Sequence, residues 1–152
     1  MTAKVADKQA CPVARSLEAV GDWWSLMIVR DAFFGKRRFG EFLGSLGIAR
    51  NILTDRLKKL VAHGILEQVP AADGSVYKDY VPTEKARGLY LVLIALRQWG
   101  QGCMMAEGEH EFALVDRADG KPVRPLALLA HDGRELGPED VELVPQRAKA
   151  KR

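Results

Sequence analysis

The sequence GIARNILTDRLKKLVAHGIL, residues 47–66, constrains the fold more than any other part of the chain. Its leucines recur at steps of four and three, so they share one face of a helix from about residue 49 to residue 63. Gly64 then suits the left-handed backbone conformation that ends many helices. The stretch predicts a helix that packs by a leucine face and exposes a polar face; the leucines are Leu53, Leu57 and Leu60.

Two strand patterns follow this helix directly. Residues 65–69 (ILEQV) and 76–81 (VYKDYV) are rich in β-branched and aromatic residues, and the segment between them contains the turn dipeptide Asp-Gly. Together they predict a β-hairpin. A pair of short helices followed by a hairpin is typical of the winged-helix form of the helix-turn-helix, in which the second helix of the pair enters the major groove of DNA.

Three further helices are predicted upstream. The first extends from Pro12 to Val20, and the second follows the N-cap residue Asp22. That second helix is apolar on nearly every side until Gly35, which predicts that it is central and buried, or partly covered by a second subunit. Together with the hairpin, these helices predict an α+β fold, mainly α, of the winged helix-turn-helix type. The third helix is short and directs four apolar side chains inward: Phe39, Phe42, Leu43 and Leu46.

A long helix begins at Pro82 and Thr83, with Thr83 as its N-cap, and extends to about Met105. It has apolar residues on more than one face, which at the edge of a small domain is best explained by a subunit interface. We therefore expect a long C-terminal dimerisation helix and a homodimer that the first two helices help to join. The predicted interface residues are Val13, Leu17, Trp24, Leu89, Val92, Leu93, Leu96 and Trp99.

The chain of 152 residues is expected to divide into four segments. Residues 1–10 form a flexible N-terminus, residues 11–106 a winged-helix DNA-binding and dimerisation domain, and residues 146–152 a basic tail. Between the last two, residues 109–145 contain short apolar runs separated by two Asp-Gly turns. This pattern predicts a small β-rich C-terminal appendage of two or three strands.

Positive charge is concentrated on the predicted helix-turn-helix. Residues 36–63 contain seven basic and two acidic residues, an excess of five, whereas the whole chain has a net charge of +3. The remainder of the chain is therefore net acidic. A basic element of this kind indicates a nucleic acid partner, because phosphate contacts supply much of the affinity for DNA.

Other features argue against several classes of protein. Two cysteines without a CxxC pair, and scattered histidines, predict neither a disulfide framework nor a metal site, and the sequence contains no catalytic set or phosphate loop. The first residues lack the apolar core of a signal peptide, and the longest apolar run is too short to cross a membrane. We expect a soluble cytoplasmic protein that is not an enzyme and needs no cofactor.

Several motifs occur in the order that they have in a known family: Cys-Pro-Val at 11–13, Gly-Asp-Trp-Trp at 21–24, RRFGEF at 37–42, ILTDRLKKLVAHGIL at 52–66 and PTEKARGL at 82–89. Over residues 11–102 the chain thus resembles the HxlR-type transcriptional regulators of bacteria, which are winged-helix relatives of the MarR group. The resemblance implies a dimeric DNA-binding regulator. Two positions depart from the pattern, since Ala49 replaces the usual Ser or Thr N-cap, and the wing tip carries Asp73 and no base.

Candidate DNA contacts lie on and beside the helix of residues 49–63. Asn51 and Thr54 are candidates for contacts with base edges, and Arg50 for a bidentate contact with guanine. Asp55 can instead pair with Lys59 at a spacing of four residues. A homodimer would bind half-sites about 34 Å apart on a pseudo-palindromic duplex. The candidates for phosphate contacts are Arg37, Arg38, Arg56, Lys58, Lys59 and Lys78.

The sequence leaves alternatives open. The main alternative function is a winged-helix protein–protein interaction module without DNA binding, and the third is a small-molecule sensor or enzyme built on the appendage. Cys11 lies beside a helix start, which favours thiolate, and the resemblance implies a sensor of oxidants or electrophiles; otherwise Cys11 is a small buried hydrophobe. Trp23, Trp24 and Trp99 are core or interface residues, or they line a pocket for a small-molecule effector.

Overall fold

The computed structural model describes residues 11–109 and 112–145, so the expected flexible N-terminus and basic tail lie outside the described residues. The described chain forms two compact units, of which the first ends at Leu96 and the second begins at Arg97. The order of elements is that of a winged helix-turn-helix, as predicted. The elements are α1 (Pro12–Val20), α2 (Trp23–Phe33), α3 (Phe39–Leu46), α4 (Arg50–Ala62), β1 (Leu66–Pro70), β2 (Lys78–Pro82) and α5 (Arg87–Cys103).

The core of the first unit forms around the leucine face of α4. Leu53, Leu57 and Leu60 are almost completely buried, in one cluster with Ile28 of α2 and Phe42 of α3. Burial of each such side chain contributes about 1.5–3 kcal/mol relative to leaving it in water. The hydrophobic contacts of these leucines therefore fix which face of α4 points outward.

Helix α4 ends as the sequence predicts. Gly64 adopts a left-handed conformation with a φ of 66°. Its N–H donates to the carbonyl of Val61, and the N–H of Ile65 donates to the carbonyl of Leu60, each at 2.9 Å. This pair of hydrogen bonds is a Schellman motif, which satisfies the last carbonyl groups of the helix and turns the chain into β1.

Helix α2 is only partly buried, so the expectation of a helix buried on all sides within one chain is wrong, and partial cover by a second subunit stays a prediction. Ile28, Val29 and Ala32 are completely buried, but Trp23 in the first turn is 70% exposed. The charged N-cap Asp22 needs contact with water or with ions, so the first turn stays near the surface and Trp23 shares its exposure.

The hairpin is shorter than the strand patterns suggest. β1 and β2 pair antiparallel in a register from Leu66 opposite Pro82 to Pro70 opposite Lys78. Val76 and Tyr77, expected in the second strand, are exposed and precede it. The longer connection forms because the Asp73 carboxylate accepts a hydrogen bond from the N–H of Ser75, which closes a turn before the strand can begin.

Helix α5 is preceded by a short 3-10 turn, Glu84–Ala86, so the long helix begins later than predicted. Thr83 is the expected N-cap, and its hydroxyl accepts a hydrogen bond from the N–H of Ala86. The same hydroxyl donates to the carbonyl of Gly64 at 2.6 Å. Thr83 therefore ties the start of this segment to the end of α4. Within the described residues, the helices are too short or too polar to cross a membrane.

In the second unit, the appendage pairs less extensively than the expected two or three strands. Residues 112–145 form isolated antiparallel bridges, between Val115 and Pro122 and between Leu129 and Glu135, and a 3-10 turn at Pro138–Asp140. Both Asp-Gly turns are present, with positive φ at Gly120 and Gly133. At the first bridge, Pro122 lacks the N–H donor that would extend the pairing.

Candidate nucleic-acid interface

Helix α4 presents a ridge of exposed side chains on the side away from its leucine face. Asn51, Asp55 and Lys58 are exposed there, and Arg50 is exposed in the first turn next to Asn51. The turn that leads into the helix needs a left-handed residue, and Gly47 supplies it with a φ of 61°. The polar ridge that the sequence predicts is therefore present on the second helix of the pair.

The first two turns of α4 carry the three residues predicted to contact bases. The guanidinium carbon of Arg50 lies 5.6 Å from the centre of the Phe39 ring, within cation–π range. Thr54 Oγ1 donates a hydrogen bond to the carbonyl of Arg50 at 2.9 Å. The hydroxyl proton of Thr54 is therefore already used, and only its lone pairs remain for a base. The side chain of Asn51 is exposed.

Arg56 and Lys59 face the start of α2 instead of the outward ridge. Arg56 Nε lies 2.9 Å and Lys59 Nζ 3.5 Å from the carboxylate of Asp22. The same carboxylate caps α2, because it accepts hydrogen bonds from the N–H of Ser25 at 2.9 Å and from its hydroxyl at 2.6 Å. Helical spacing predicts that Lys59 pairs with Asp55. In the structure, Lys59 pairs with Asp22 instead. Both cations are therefore paired within the chain, although about a third of each side chain is still exposed.

The pKa of Asp22 reflects these contacts. Partial burial alone would raise the pKa, but the two hydrogen bonds from Ser25 and the charges of Arg56 and Lys59 outweigh it, and the pKa is lowered. Asp22 is therefore ionised at neutral pH and joins the start of α2 to the middle of α4.

Arg37 is engaged with the end of α2. Its Nη1 donates to the carbonyl of Ala32 at 2.6 Å and to that of Lys36 at 3.0 Å, so its charge lies at the negative end of the helix dipole. The backbone N–H groups of Arg37 and Arg38 both donate to the Glu41 carboxylate. Those two hydrogen bonds lower the pKa of Glu41.

Arg38 fastens the hairpin to the start of α3. Its Nε lies 2.6 Å from Asp79 Oδ1, its Nη2 lies 2.8 Å from Asp73 Oδ1, and its guanidinium lies 6.0 Å from the centre of the Tyr77 ring. The N–H of Ser75 and the Arg38 guanidinium together lower the pKa of Asp73 to about 2. A second link joins the N–H of Tyr80 to the carbonyl of Arg37 at 2.8 Å.

The structure thus divides the predicted phosphate contacts into two groups. The side chains of Lys58 and Lys78 are exposed, whereas Arg37, Arg38, Arg56 and Lys59 contact carbonyl or carboxylate groups of the same chain. The sequence shows acidic residues in the hairpin, but no spacing rule indicates that Arg38 meets Asp79 across 41 positions.

The predicted interface residues also divide. Trp24, Leu89 and Leu93 pack against the core cluster of the first unit, and Trp23, not Trp24, is the exposed tryptophan of α2. On α5, Val92 and Leu96 are each 47% exposed and Trp99 is 58% exposed. The other exposed members of the predicted set are Val13 and Leu17 of α1.

The second half of α5 is covered on its polar side by its own chain. In the second unit, the guanidinium of Arg97 donates to the carbonyl of Phe112, and Gln98 donates to the carbonyl of Arg124 and accepts from the N–H of Leu126. Trp99 lies about 100° or more around the helix from these residues and remains exposed. A helix that covers its polar side and exposes its apolar side is arranged to meet another apolar surface.

Two further features bear on regulation. Cys11 is half-buried at the N-cap position of α1, and Cys103 is exposed at the end of α5; both are free thiols. In the first unit, a cleft of about 600 Å³ lies beside α1 and the start of α5, with Arg15, His63, Lys85 and Val92 among its lining residues. Among residues 11–109 and 112–145, no group of His, Cys, Asp and Glu side chains is assembled as a metal ion would require.

Comparison with known proteins shows what this arrangement resembles. A model of the HxlR-like helix-turn-helix family matches residues 19–108. An HTH-type transcriptional regulator of Mycobacterium tuberculosis is 35% identical over 133 residues, which are 88% of this chain and 84% of the relative.

Solved structures resemble the fold as well. The crystal structure of PA1607, described as a transcription factor, has a TM-score of 0.86 and 49% identity, and the match covers 91% of this chain and 98% of that one. The reduced form of the redox regulator HypR has a TM-score of 0.54 and 28% identity, with 60% of this chain and 92% of HypR covered. These likenesses confirm the predicted winged helix-turn-helix fold.

Proposed function

Since this chain belongs to the HxlR-like helix-turn-helix family and is a transcriptional regulator of the helix-turn-helix type, we propose that it binds double-stranded DNA as a homodimer. Helix α4 of each subunit would enter a major groove, with the two helices about 34 Å apart on a pseudo-palindromic operator. We also propose that the protein acts in the cytoplasm and that it is not an enzyme.

The exposed ridge of α4 carries this proposal. Arg50 and Asn51 lie in its first turn, where helix-turn-helix proteins contact base edges, and Lys58 follows further along the same exposed side. We propose that Arg50 and Asn51 contact bases and that Thr54 accepts a hydrogen bond from a base. Lys58 and Lys78 would contact phosphates. The other four candidates for phosphate contacts already have partners in the chain, so they would hold the elements of the interface in position. They are Arg37, Arg38, Arg56 and Lys59.

The apolar stripe of α5 supports the homodimer. Val92, Leu96 and Trp99 recur at steps of four and three, the spacing by which two helices pack along a shared seam. Their exposure, together with that of Val13 and Leu17, leaves an apolar surface that water contacts unfavourably. A second copy offers the same surface, so a two-fold symmetric interface would bury both at once.

A salt titration on duplex DNA tests the proposal. If about four to six phosphates are neutralised per site, the logarithm of the affinity should fall with the logarithm of salt concentration by about 0.9 per phosphate. A duplex from the promoter region beside the gene, compared with a scrambled duplex of equal length, separates specific from non-specific binding. Failure to bind any duplex at low salt would favour the alternative, a winged-helix protein–protein interaction module.

We propose a thiol-based response as a second function. Cys11 lies at the start of α1, the helix that carries the exposed Val13 and Leu17, so a change at its sulfur would lie close to the proposed interface. The similar structure HypR is named a redox regulator. Attack of the Cys11 thiolate on a peroxide would give a sulfenic acid and release hydroxide or water. A small-molecule effector in the cleft beside α1 and α5 is the alternative regulator.

Substitution of each cysteine separates these regulatory mechanisms. With Cys11→Ser, release of DNA after peroxide treatment should disappear, whereas Cys103→Ser should respond as the unchanged protein does. DNA binding is followed by fluorescence anisotropy before and after the oxidant, and thiols are counted in parallel. If both variants still release DNA after peroxide treatment, these thiols have no role in the response. The effector cleft would then remain as the regulatory site.

A further inference from the structure

Asp55 is an acidic side chain at the centre of a basic element. It lies on the exposed ridge of α4, one turn after Asn51 and one turn before Lys58. Helical spacing places it almost opposite the leucine face, so in a groove it would point to the bases and not to the flanking phosphates. A carboxylate weakens attraction to phosphate, so its presence on this ridge requires an explanation.

The explanation is not an internal ion pair. The obvious helical partner, Lys59, has its ammonium group 3.5 Å from Asp22. Arg56, the next cation along the helix, lies 2.9 Å from that same carboxylate. In the described parts of the chain, the ion pairs and side-chain hydrogen bonds do not include Asp55. Its carboxylate oxygens are therefore available to accept hydrogen bonds from a ligand.

The major groove contains donors that suit such an acceptor. Cytosine presents its N4 amino group there, and aspartate and glutamate are the side chains that accept from it. Adenine presents both an amino donor and the N7 acceptor, a pair that suits the amide of asparagine better. Asp55 and Asn51 lie on one ridge about 6 Å apart along the helix axis. That distance corresponds to nearly two base steps of about 3.4 Å.

We propose that Asp55 determines sequence specificity by accepting a hydrogen bond from the N4 amino group of a cytosine in each operator half-site. The cytosine lies one or two base pairs from the adenine that Asn51 contacts. The Asp55 carboxylate lowers the affinity for every duplex, because it repels phosphate whatever the sequence. Its hydrogen bond raises the affinity only where the cytosine is present, so Asp55 increases the discrimination among sequences. This inference rests on the proposed function and adds a named base to it.

Selection from a randomised duplex library tests the inference with the full-length chain. Four proteins are compared: the unchanged chain, Asp55→Asn, Asp55→Ala and the control Glu84→Gln. Glu84 is exposed and lies outside α4, so its substitution removes the same charge without altering the ridge. Circular dichroism and size-exclusion chromatography confirm that each variant folds and assembles alike.

The unchanged chain should select a motif with one fixed cytosine per half-site. Replacing that cytosine should weaken binding about 5- to 150-fold, the range for one specific base contact. Asp55→Ala should lose the preference at that position alone, and Asp55→Asn should shift it towards adenine. Glu84→Gln should select the same motif as the unchanged chain, with slightly higher affinity for all duplexes.

Two outcomes would overturn the inference in distinguishable ways. If Asp55→Asn and Asp55→Ala select the same motif as the unchanged chain, Asp55 does not contact a base, and DNA binding itself stands. If the unchanged chain selects no motif and binds no duplex at low salt, the proposed function fails and the role of Asp55 fails with it.

Discussion

At the scale of single residues, the carboxylate of Asp22 contacts two helices. It caps α2 through Ser25, and it pairs with Arg56 and Lys59 of α4. The position of the proposed recognition helix therefore depends on the same group that begins α2. Substitutions that keep one task and remove the other can separate the two contributions.

Asp22→Ala should lower the free energy of unfolding by about 1–2 kcal/mol, because it removes an N-cap and both ion pairs. Asp22→Asn should cost less than about 1 kcal/mol, since asparagine caps nearly as well and only partly exposed ion pairs are lost. Urea denaturation at pH 7 measures both values. Equal losses in the two variants would show that the ion pairs, and not the cap, hold these helices.

The contribution of Asp22 should also depend on pH. Its pKa in the folded protein is below the usual 3.8, so its ionised form stabilises the fold fully at pH values above that level. The advantage is lost as the pH falls through the lowered pKa. The unchanged protein should therefore be more stable than Asp22→Asn at pH 6, and the difference should shrink below pH 3.8 in urea denaturation series. A difference that stays constant across this range would contradict the assignment.

Two arginines of α4 provide a matched test of the proposed interface. Arg50→Ala should weaken specific binding by about 1–3 kcal/mol, the cost of a lost bidentate base contact. Arg56→Ala should change it little, because its guanidinium pairs with Asp22 on another side of the helix. Fluorescence anisotropy on the selected duplex measures both. Equal losses would mean that Arg56 leaves Asp22 when DNA binds.

The sequence identifies the polar ridge but not which of its charges are available. Helical spacing predicts the exposed positions Asn51, Asp55 and Lys58 correctly, because the leucine face fixes the opposite side, whereas Thr54 and Lys59 of the same predicted face are half-buried. It cannot show that Arg56 and Lys59 meet Asp22, since a contact across more than thirty positions depends on how α2 packs on α4. Charge excess along the sequence therefore overstates the charge that DNA could meet.

At the scale of elements, Arg38 links the hairpin to the start of α3 through two ion pairs. Arg38 contacts Asp73 and Asp79, and Asp79 is only 8% exposed. A carboxylate buried to this extent needs its partner, since an unpaired buried charge is unfavourable. The wing is therefore fastened to the start of α3, and the Asp73 carboxylate at its tip is paired with Arg38.

Arg38→Ala should release the connection between the strands. The expected result is faster cleavage between Ala71 and Lys78 in limited proteolysis, because the two ion pairs and the contact with Tyr77 are lost together. Arg38→Lys should have an intermediate effect, since one ammonium group cannot reproduce the fork that reaches both carboxylates. Unchanged cleavage in Arg38→Ala would show that the hydrogen bond between Tyr80 and Arg37 holds the hairpin by itself.

Elements are predictable from the sequence where one pattern dominates. The bounds of α1 and α4 agree with the prediction within a residue, because proline, glycine and the leucine period all mark them. The appendage is less predictable, since its short apolar runs suggest strands, whereas residues 112–145 form isolated bridges, the first of them at Pro122, which has no N–H to donate. In this segment the apolar pattern favours strands but the backbone pairs at isolated positions, so the sequence overestimates its β structure.

At the scale of the whole molecule, the proposed function assigns a partner to each of two exposed surfaces. The ridge of α4 is polar and basic, which suits DNA, and the stripe of α5 is apolar, which suits a second copy. The two are coupled under the proposed function, because a dimer contacts both half-sites and a monomer only one. Loss of the apolar contact should therefore weaken DNA binding without any change in α4.

Leu96→Glu tests this coupling, with Leu91→Glu as its control. Both leucines are exposed on α5, but Leu96 lies on the stripe with Val92 and Trp99, whereas Leu91 lies about 100° away from Val92. A buried charge at the seam should weaken the dimer by about 2–4 kcal/mol, so Leu96→Glu should be a monomer at micromolar concentration. Leu91→Glu should stay dimeric.

Sedimentation velocity gives the oligomeric state, and anisotropy compares duplexes that carry one or two half-sites. The unchanged protein and Leu91→Glu should bind the two-half-site duplex much more tightly than the single half-site, because the second contact becomes intramolecular. Leu96→Glu should bind both duplexes alike, at the affinity of one half-site. If Leu96→Glu remains a dimer, the seam lies elsewhere on the chain; if it is a monomer that still prefers two half-sites, dimerisation and operator recognition are not linked through α5.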